Sequence, residues 1–147
     1  MRAVCQRVAE ARVVVDRQVV GEIEHGLCVL LGIARGDDLE AAERLAGKIA
    51  RLRIFPDDEG RFDRSVLAAN GRVLAVSQFT LIADSRQQKG TRPDFSKAAP
   101  KGEAEPIFNA FCEALAAQGA QVQRGVFGAK MRVELVNDGP VTIVLDA

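Results

Sequence analysis

Residues 27–33 read Leu-Cys-Val-Leu-Leu-Gly-Ile, a run of apolar side chains that does not alternate with polar ones. A strand with one face in water alternates, whereas a strand covered on both faces is continuously apolar. The run therefore predicts a strand that is buried on both faces, and Gly36 ends it.

A helix is predicted directly after this strand. Asp37 can serve as its N-cap, and Glu40 three residues later completes a pattern like a capping box. Apolar residues then recur at helical spacing: Leu39, Ala42, Leu45, Ala46, Ile49 and Leu52. A second helix is predicted from near Glu103 to Gly119, with an apolar face formed by Ile107, Phe108, Phe111 and Leu115.

Strand-like segments stand on both sides of these helices. They cover residues 2–10, 11–15, 19–23, 73–82, 130–136 and 141–145. The order strands, helix, strand, helix, strands is not a repeating βαβ alternation, so the expected fold class is α+β. We expect a mainly antiparallel or mixed β-sheet, curved or closed into a flattened barrel, with both helices covering one side.

Composition narrows the possible classes of protein. A chain of 147 residues suits one domain, residues 1–147, and its 20 basic and 20 acidic residues exclude a strongly basic coat for nucleic acid. The three cysteines have no CxxC spacing, which predicts neither a disulfide framework nor a zinc site. A targeting segment is not recognisable. With one histidine, His25, and no glycine-rich nucleotide motif, the sequence predicts no metal and no cofactor.

Polar side chains interrupt an apolar segment at Ser77-Gln78-Phe79-Thr80-Leu81. If this segment is a strand, Gln78 and Thr80 share one face. Buried polar groups cost free energy unless they are hydrogen-bonded, so one interpretation is a functional site at the end of the strand. The alternative is an ordinary half-exposed strand.

A second interruption is Asn137-Asp138-Gly139-Pro140-Val141-Thr142. A Gly-Pro pair between two apolar segments first predicts a turn. Proline is also the residue at which a cis peptide costs least, about 1 kcal/mol. A cis bond here would direct two successive carbonyl groups the same way and form a rigid wall close to a small ligand.

Residues 83–101 form a predicted loop with an excess of positive charge. Its basic residues are Arg86, Lys89, Arg92, Lys97 and Lys101, against the acidic Asp84 and Asp94. Such a cluster suits the phosphates of a nucleic acid, and it equally suits a solvated loop.

Together, the two interrupted segments resemble the two signature motifs of the D-aminoacyl-tRNA deacylases. The resemblance extends along the chain through Cys5-Gln6-Arg7-Val8, Gly21-Glu22-Ile23, Leu30-Leu31-Gly32, Leu52-Arg53-Ile54-Phe55, Arg92-Pro93 and Gly125-Val126-Phe127-Gly128-Ala129. The chain departs from the family pattern at Lys130, where an acidic residue is expected before Met131, and at Asp94, where serine is usual.

The resemblance implies a cytoplasmic homodimer that hydrolyses the ester of D-aminoacyl-tRNA at the 3′ acceptor end, without a cofactor. It also implies activity on glycyl-tRNA mischarged on tRNA-Ala. Gly139 and Pro140, joined by a cis bond, would enter the pocket of the other subunit and reject L side chains. Glycine, which has no side chain, could not be rejected in this way.

The same resemblance assigns roles to individual residues. Catalysis falls to Ser77, Gln78, Phe79 and Thr80, substrate binding to Ala104, Phe127, Met131, Asn137, Gly139, Pro140, Val141 and Thr142, and tRNA binding to Arg86, Lys89 and Arg92. Backbone N–H groups near Ser77, Gln78 and Phe79 would bind the oxyanion, and the 2′-hydroxyl of the substrate would assist a water molecule.

Thr80 is expected to position the substrate rather than to attack it, because no base stands near it in the sequence. Two alternatives remain open. One is a non-catalytic dimer of the same fold that binds RNA or another ligand, and the other is a general small esterase that uses the Thr80 hydroxyl.

Overall fold

A computed structural model describes residues 1–84, 86 and 90–147. The strands and helices of the described chain, in order, are β1 (Arg2–Val15), β2 (Gln18–Ile23), β3 (Gly26–Gly32), α1 (Leu39–Ala50), β4 (Phe55–Pro56), β5 (Phe62–Arg64), β6 (Arg72–Ser77), α2 (Lys101–Ala117), β7 (Gln121–Arg124) and β8 (Arg132–Asp146). A short 3₁₀ helix, Phe79–Ile82, follows β6. In the described part of the chain, no helix is long and apolar enough to cross a membrane.

Six strands form one mixed sheet in the order β2-β1-β3-β6-β7, and β8 pairs with β1. β1 runs antiparallel to β2, β3 and β8, while β6 runs parallel to β3 and β7. The sheet curls until β2 meets β7: a Cβ atom on Gly21 would lie 2.6 Å from the carbonyl oxygen of Arg124. The result is a nearly closed barrel with two helices, which confirms the predicted fold class.

Both faces of β3 are covered, as its continuous apolar sequence predicts. Leu27 and Val29 belong to a core that the apolar faces of α1 and α2 complete. Cys28 points to the opposite face, where it joins a second core with Val8 and Leu74.

The predicted cap of α1 is off by one residue. The cap is Asp38, whose carboxylate accepts a hydrogen bond from the Ala41 N–H at 2.8 Å. Asp37 instead accepts from the Ala34 N–H at 2.7 Å and pairs with the terminal amino group of Met1 at 2.7 Å. The contact with Met1 is long-range, so spacing along the sequence could not reveal which aspartate caps the helix.

Three predicted strand bounds are corrected by the structure. Segments 2–10 and 11–15 form the single strand β1, and the segment predicted as a strand over 73–82 ends as a strand at Ser77. Segments 130–136 and 141–145 belong to one strand, β8, rather than to two strands joined by a turn. β7 and the short β4–β5 hairpin were not predicted.

The Gly-Pro pair lies in a bulge of β8. Val8 of β1 is opposite Asn137, and Gln6 is opposite Thr142, so residues 138–141 bulge out opposite Arg7 alone. Both halves of β8 pair with the same neighbouring strand. The long partner strand, which is remote in sequence, is the reason why these residues do not form a hairpin turn.

Candidate active site

A cavity of about 360 Å³ lies where β3, β6, the start of α2 and the segment between β7 and β8 meet. It is lined by Leu31, Ile33, Val76, Ser77, Gln78, Phe79, Ala99, Lys101, Ala104, Phe127, Gly128, Ala129, Met131 and Val133. Most of these side chains are apolar. The cavity therefore contains the first half of the Ser77–Leu81 motif together with three of the predicted substrate-binding residues, Ala104, Phe127 and Met131.

The motif enters the cavity because the chain turns sharply after β6. Ser77 pairs with Leu31 of β3, and the N–H of Gln78 donates to the Leu31 carbonyl oxygen at 2.8 Å. The 3₁₀ helix then begins, with the Leu81 N–H donating to the Gln78 carbonyl at 3.2 Å. Gly32 leaves room for this turn: a Cβ atom there would lie 2.9 Å from Cβ of Leu81 and 3.0 Å from the Gln78 oxygen.

The turn determines which backbone donors are available to a ligand. Since the Gln78 N–H is bonded to Leu31, it is not a free oxyanion donor. The N–H of Phe79 opens the 3₁₀ helix and has no acceptor among the residues that the structure describes. First-turn N–H groups of a helix lack a partner within the helix. Phe79 therefore supplies the candidate donor.

Gln78 and Thr80 meet through the turn rather than across one face of a strand. The side-chain amide of Gln78 donates to the Thr80 hydroxyl. Thr80 is exposed and does not line the cavity. The ring of Phe79 is 58% exposed and stands edge-on to the ring of Phe95, with centroids 5.2 Å apart.

Asn137 holds the bulge of β8 closed. Its Oδ1 accepts from the Val141 N–H at 2.7 Å, and its Nδ2 donates to the Val141 carbonyl and to Oγ1 of Thr142, both at 3.1 Å. The peptide bond between Gly139 and Pro140 is cis. Gly139 has a φ of 154°, and a Cβ atom there would lie 2.7 Å from the Val141 nitrogen.

The bulge is exposed and lies outside the cavity of its own chain. Gly139 and Pro140 are exposed, whereas Val141 is buried. None of residues 137–142 lines the cavity. Within one chain, the two motifs therefore do not come together.

Arg7 supports the bulge from β1. Its Nε donates to the Asp138 carbonyl oxygen at 2.8 Å, and its Nη1 donates to the Ile54 carbonyl oxygen at 2.7 Å. Its guanidinium carbon lies 5.6 Å from the centroid of the Phe62 ring. In the sequence, Arg7 was noted only as part of a segment that resembles the family. Its role in holding the bulge could not be predicted, because both of its acceptors are backbone atoms distant along the chain.

Two of the residues expected to bind tRNA, Arg86 and Arg92, do not line the cavity. Arg86 and Arg92 are exposed, and the N–H of Arg86 donates to Oδ1 of Asp84 at 2.9 Å. Lys89 lies outside the described residues. Lys97 of the same basic loop pairs with Asp84.

No group of three or more histidine, cysteine, aspartate or glutamate side chains that could hold a metal is found in the described ranges. His25 lies in the turn between β2 and β3, edge-on to Phe55. The three cysteines are buried, and burial raises the pKa of Cys5 to about 12 and those of Cys28 and Cys112 to about 11.

The solved structures that are similar to this fold include the following two. The c-Myc DNA Unwinding Element Binding Protein superposes with a TM-score of 0.91 and 41% identity, over 100% of this chain and 99% of that one. A probable eukaryotic D-amino acid tRNA deacylase superposes with a TM-score of 0.82 over 99% and 98% of the two chains. At 18% identity, the second likeness concerns the fold alone.

Sequence comparison is more specific. The D-aminoacyl-tRNA deacylase of Roseiflexus castenholzii is 56% identical over 147 residues, which cover 100% of this chain and 92% of that protein. The family model of D-Tyr-tRNA(Tyr) deacylase matches residues 4–146. Fold, cavity and matches together define a small hydrolase of the tRNA deacylase class. The chain belongs to the D-Tyr-tRNA(Tyr) deacylase family.

Proposed function

We propose that the protein hydrolyses the ester bond between a D-amino acid and the 3′ end of a tRNA, releasing both. The observation that carries this proposal is the cavity shared by Ser77, Gln78 and Phe79 with Phe127 and Met131, in a chain of this family. An aminoacyl ester is already an activated acyl group. Its hydrolysis needs stabilisation of the developing oxyanion more than it needs a strong nucleophile.

In the proposed step, the ester carbonyl oxygen accepts a hydrogen bond from the Phe79 N–H. A water molecule, assisted by the 2′-hydroxyl of the terminal ribose, attacks the carbonyl carbon, and the electron pair of the C=O bond moves onto oxygen. The intermediate collapses, the bond to the ribose 3′ oxygen breaks, and that oxygen takes up a proton. Water thereby supplies both the hydroxyl of the amino acid and the proton of the tRNA hydroxyl.

The stereochemical filter is proposed to come from a second copy of the chain. Gly139 and Pro140 are exposed and lie outside their own cavity, while Asn137 and Arg7 fix the bulge that carries them. In a homodimer this bulge would enter the cavity of the other subunit, and its main-chain oxygen atoms would occupy the space that an L side chain needs. A D side chain avoids that space, and glycine has no side chain to exclude. Glycyl-tRNA mischarged on tRNA-Ala is accordingly expected to be a second substrate.

The acceptor end would also be held by basic side chains of the predicted loop at residues 83–101. We assign this role to Arg86 and Arg92 together with Lys89, because neutralised phosphates contribute affinity without reading sequence. Action in the cytoplasm, where tRNA is aminoacylated, follows from this substrate.

A non-catalytic nucleic-acid-binding dimer is the second candidate. It is favoured by one observation, the 41% identity with a protein described as binding a DNA unwinding element. Such a dimer would bind tRNA and leave its ester intact.

The test is single-turnover deacylation by the purified protein, with D-Tyr-tRNA, L-Tyr-tRNA and glycyl-tRNA(Ala) compared at equal concentrations. We expect the D and glycyl esters to be hydrolysed and the L ester to decay at its uncatalysed rate. Binding of tRNA without hydrolysis of the D ester would favour the second candidate. Equal hydrolysis of D and L esters would support the deacylase activity but would refute the stereochemical filter.

A further inference from the structure

We propose that Lys101 binds the phosphate group on the 5′ side of the terminal nucleotide of the substrate. Lys101 would thereby set how tightly the cavity holds the acceptor end. This inference rests on the proposed function, because it concerns the same cavity and the same substrate.

The first observation is the charge of the cavity. Among the described residues that line it, Lys101 has the only ionisable side chain, and the remainder of the wall is apolar apart from Ser77 and Gln78. Lys101 makes no ion pair with any residue in the ranges 1–84, 86 and 90–147. The cavity is therefore positively charged and has no carboxylate to compete with an anionic ligand.

The second observation is the position of the ammonium group. Lys101 is the first residue of α2, and its side chain crosses Gly128 in the segment between β7 and β8. A Cβ atom on Gly128 would lie 3.2 Å from Nζ and 3.3 Å from Cε of Lys101. Because the residues on either side, Phe127 and Ala129, line the cavity, the ammonium lies against the cavity wall.

The substrate carries an anionic group close to its scissile ester. The ribose that carries the scissile ester also carries a phosphodiester on its 5′ carbon, so every tRNA presents a negative charge one sugar away from the reacting carbonyl. The α-amino group of the amino acid is cationic and would be repelled by Lys101. A lysine ammonium is a compact charge with three donors, which suits a phosphate whose orientation is set elsewhere.

The experiment compares D-Tyr-tRNA with the D-tyrosyl ester of adenosine, which has the same ester, ribose and base but no phosphate. Lys101→Ala and Lys101→Arg are measured beside Lys48→Ala, a matched loss of one exposed lysine on α1, outside the cavity. We expect Lys101→Ala to raise KM for D-Tyr-tRNA about three- to fivefold, as for an exposed pair of charges. For this variant, the slope of log KM against the logarithm of the salt concentration should fall by about 0.7, which is the contribution of one phosphate on a single strand.

The expected pattern is specific to a phosphate contact. In Lys101→Ala, kcat on D-Tyr-tRNA and both kcat and KM on the adenosine ester should stay at wild-type values. Lys101→Arg should restore the wild-type KM for D-Tyr-tRNA. Lys48→Ala should change neither kcat nor KM on either substrate. Equal losses on both substrates, or an unchanged KM for tRNA, would overturn the inference. A loss on D-Asp-tRNA without one on D-Tyr-tRNA would assign Lys101 to acidic side chains and would overturn it too.

The proposed function can fail separately. If the wild-type protein hydrolyses neither D ester, the deacylase is refuted, and the phosphate contact is then decided by binding of the trinucleotide CCA. Weaker binding to Lys101→Ala than to Lys48→Ala would support the contact, and equal binding would refute it.

Discussion

Arg7 donates from Nε to the carbonyl oxygen of Asp138 at 2.8 Å, and this bond ties β1 to the bulge that carries the Gly-Pro pair. The same guanidinium donates to the carbonyl of Ile54 at 2.7 Å. A planar guanidinium can hold two acceptors in fixed directions at once, which a single ammonium cannot do. The position of the bulge therefore depends on the geometry of Arg7 and not only on its charge.

Replacing Arg7 by lysine keeps the charge and removes this geometry. We expect Arg7→Lys to change the ratio of D-Tyr-tRNA to L-Tyr-tRNA deacylation rates about tenfold, since a hydrogen bond to a charged group contributes about 1.5 kcal/mol. Single-turnover rates on the two esters measure the ratio, with thermal unfolding as the control for folding. A folded Arg7→Lys with wild-type rates on both esters would show that Arg7 does not position the bulge.

The Phe79 N–H can be removed without placing proline in an unsuitable position. Phe79 is the first residue of the 3₁₀ helix, where proline is tolerated, and Gln78 before it has φ −144° and ψ 78°, outside the helical region. We expect Phe79→Pro to lower kcat roughly a hundred- to a thousandfold, as for loss of an oxyanion donor. The control is Phe79→Ala, which loses the ring and keeps the N–H, so its kcat should stay within about tenfold. Equal losses in the two variants would assign the effect to the ring.

Thr80 separates the deacylase from a general esterase. Its hydroxyl accepts a hydrogen bond from Gln78 and lies outside the cavity lining. We expect Thr80→Ala to keep D-Tyr-tRNA deacylation within about tenfold, a loss near 1.4 kcal/mol. A folded variant with a loss of several orders of magnitude, on the tRNA and on simple activated esters alike, would identify Thr80 as a nucleophile.

Because of the buried thiols, the free energy of unfolding should depend on pH in the alkaline range. Burial raises the pKa of Cys5 from 9.0 to about 12 and that of Cys28 from 9.0 to about 11. At a pH between the unfolded and the folded pKa, the thiols of the unfolded chain have lost protons that the folded chain keeps. The free energy of unfolding should therefore fall as pH rises from about 9 to about 11. Urea unfolding at several pH values measures this slope, and Cys28→Ala should make it shallower. A slope that is the same in both proteins would contradict the role of burial.

Local periodicity was sufficient to predict the α+β class, the two helices and the doubly covered strand β3. It could not predict the turn at Phe79, because Gln78, Phe79 and Thr80 alternate as they would in a strand. The space for that turn is created by Gly32 on a neighbouring strand, which is a contact between residues distant in sequence.

The sequence likewise predicted only part of the candidate site. The motif residues Ser77, Gln78 and Phe79 could be found because polar groups interrupt an apolar segment. Lys101 could not be distinguished from the other basic residues of its loop, since its place in the cavity depends on α2 and Gly128 meeting in the fold.

The central claim is that one chain supplies the cavity and another supplies the Gly-Pro bulge, and mixing two inactive variants tests it most directly. Phe79→Pro damages only the cavity. Gly139→Ala damages only the bulge, because its Cβ would lie 2.6 Å from Cγ2 of Val141 and 2.7 Å from its nitrogen.

Each variant alone should fail to hydrolyse D-Tyr-tRNA selectively. When the two are unfolded together and refolded, a mixed dimer has one cavity with an intact Phe79 N–H facing an intact Gly139 bulge. Random exchange in a two-fold symmetric dimer should restore about a quarter of the wild-type sites, and with them selective D-Tyr-tRNA deacylation. Mixed dimers that form, as shown by mass tags on the two chains, but hydrolyse no more than the separate variants would contradict the account.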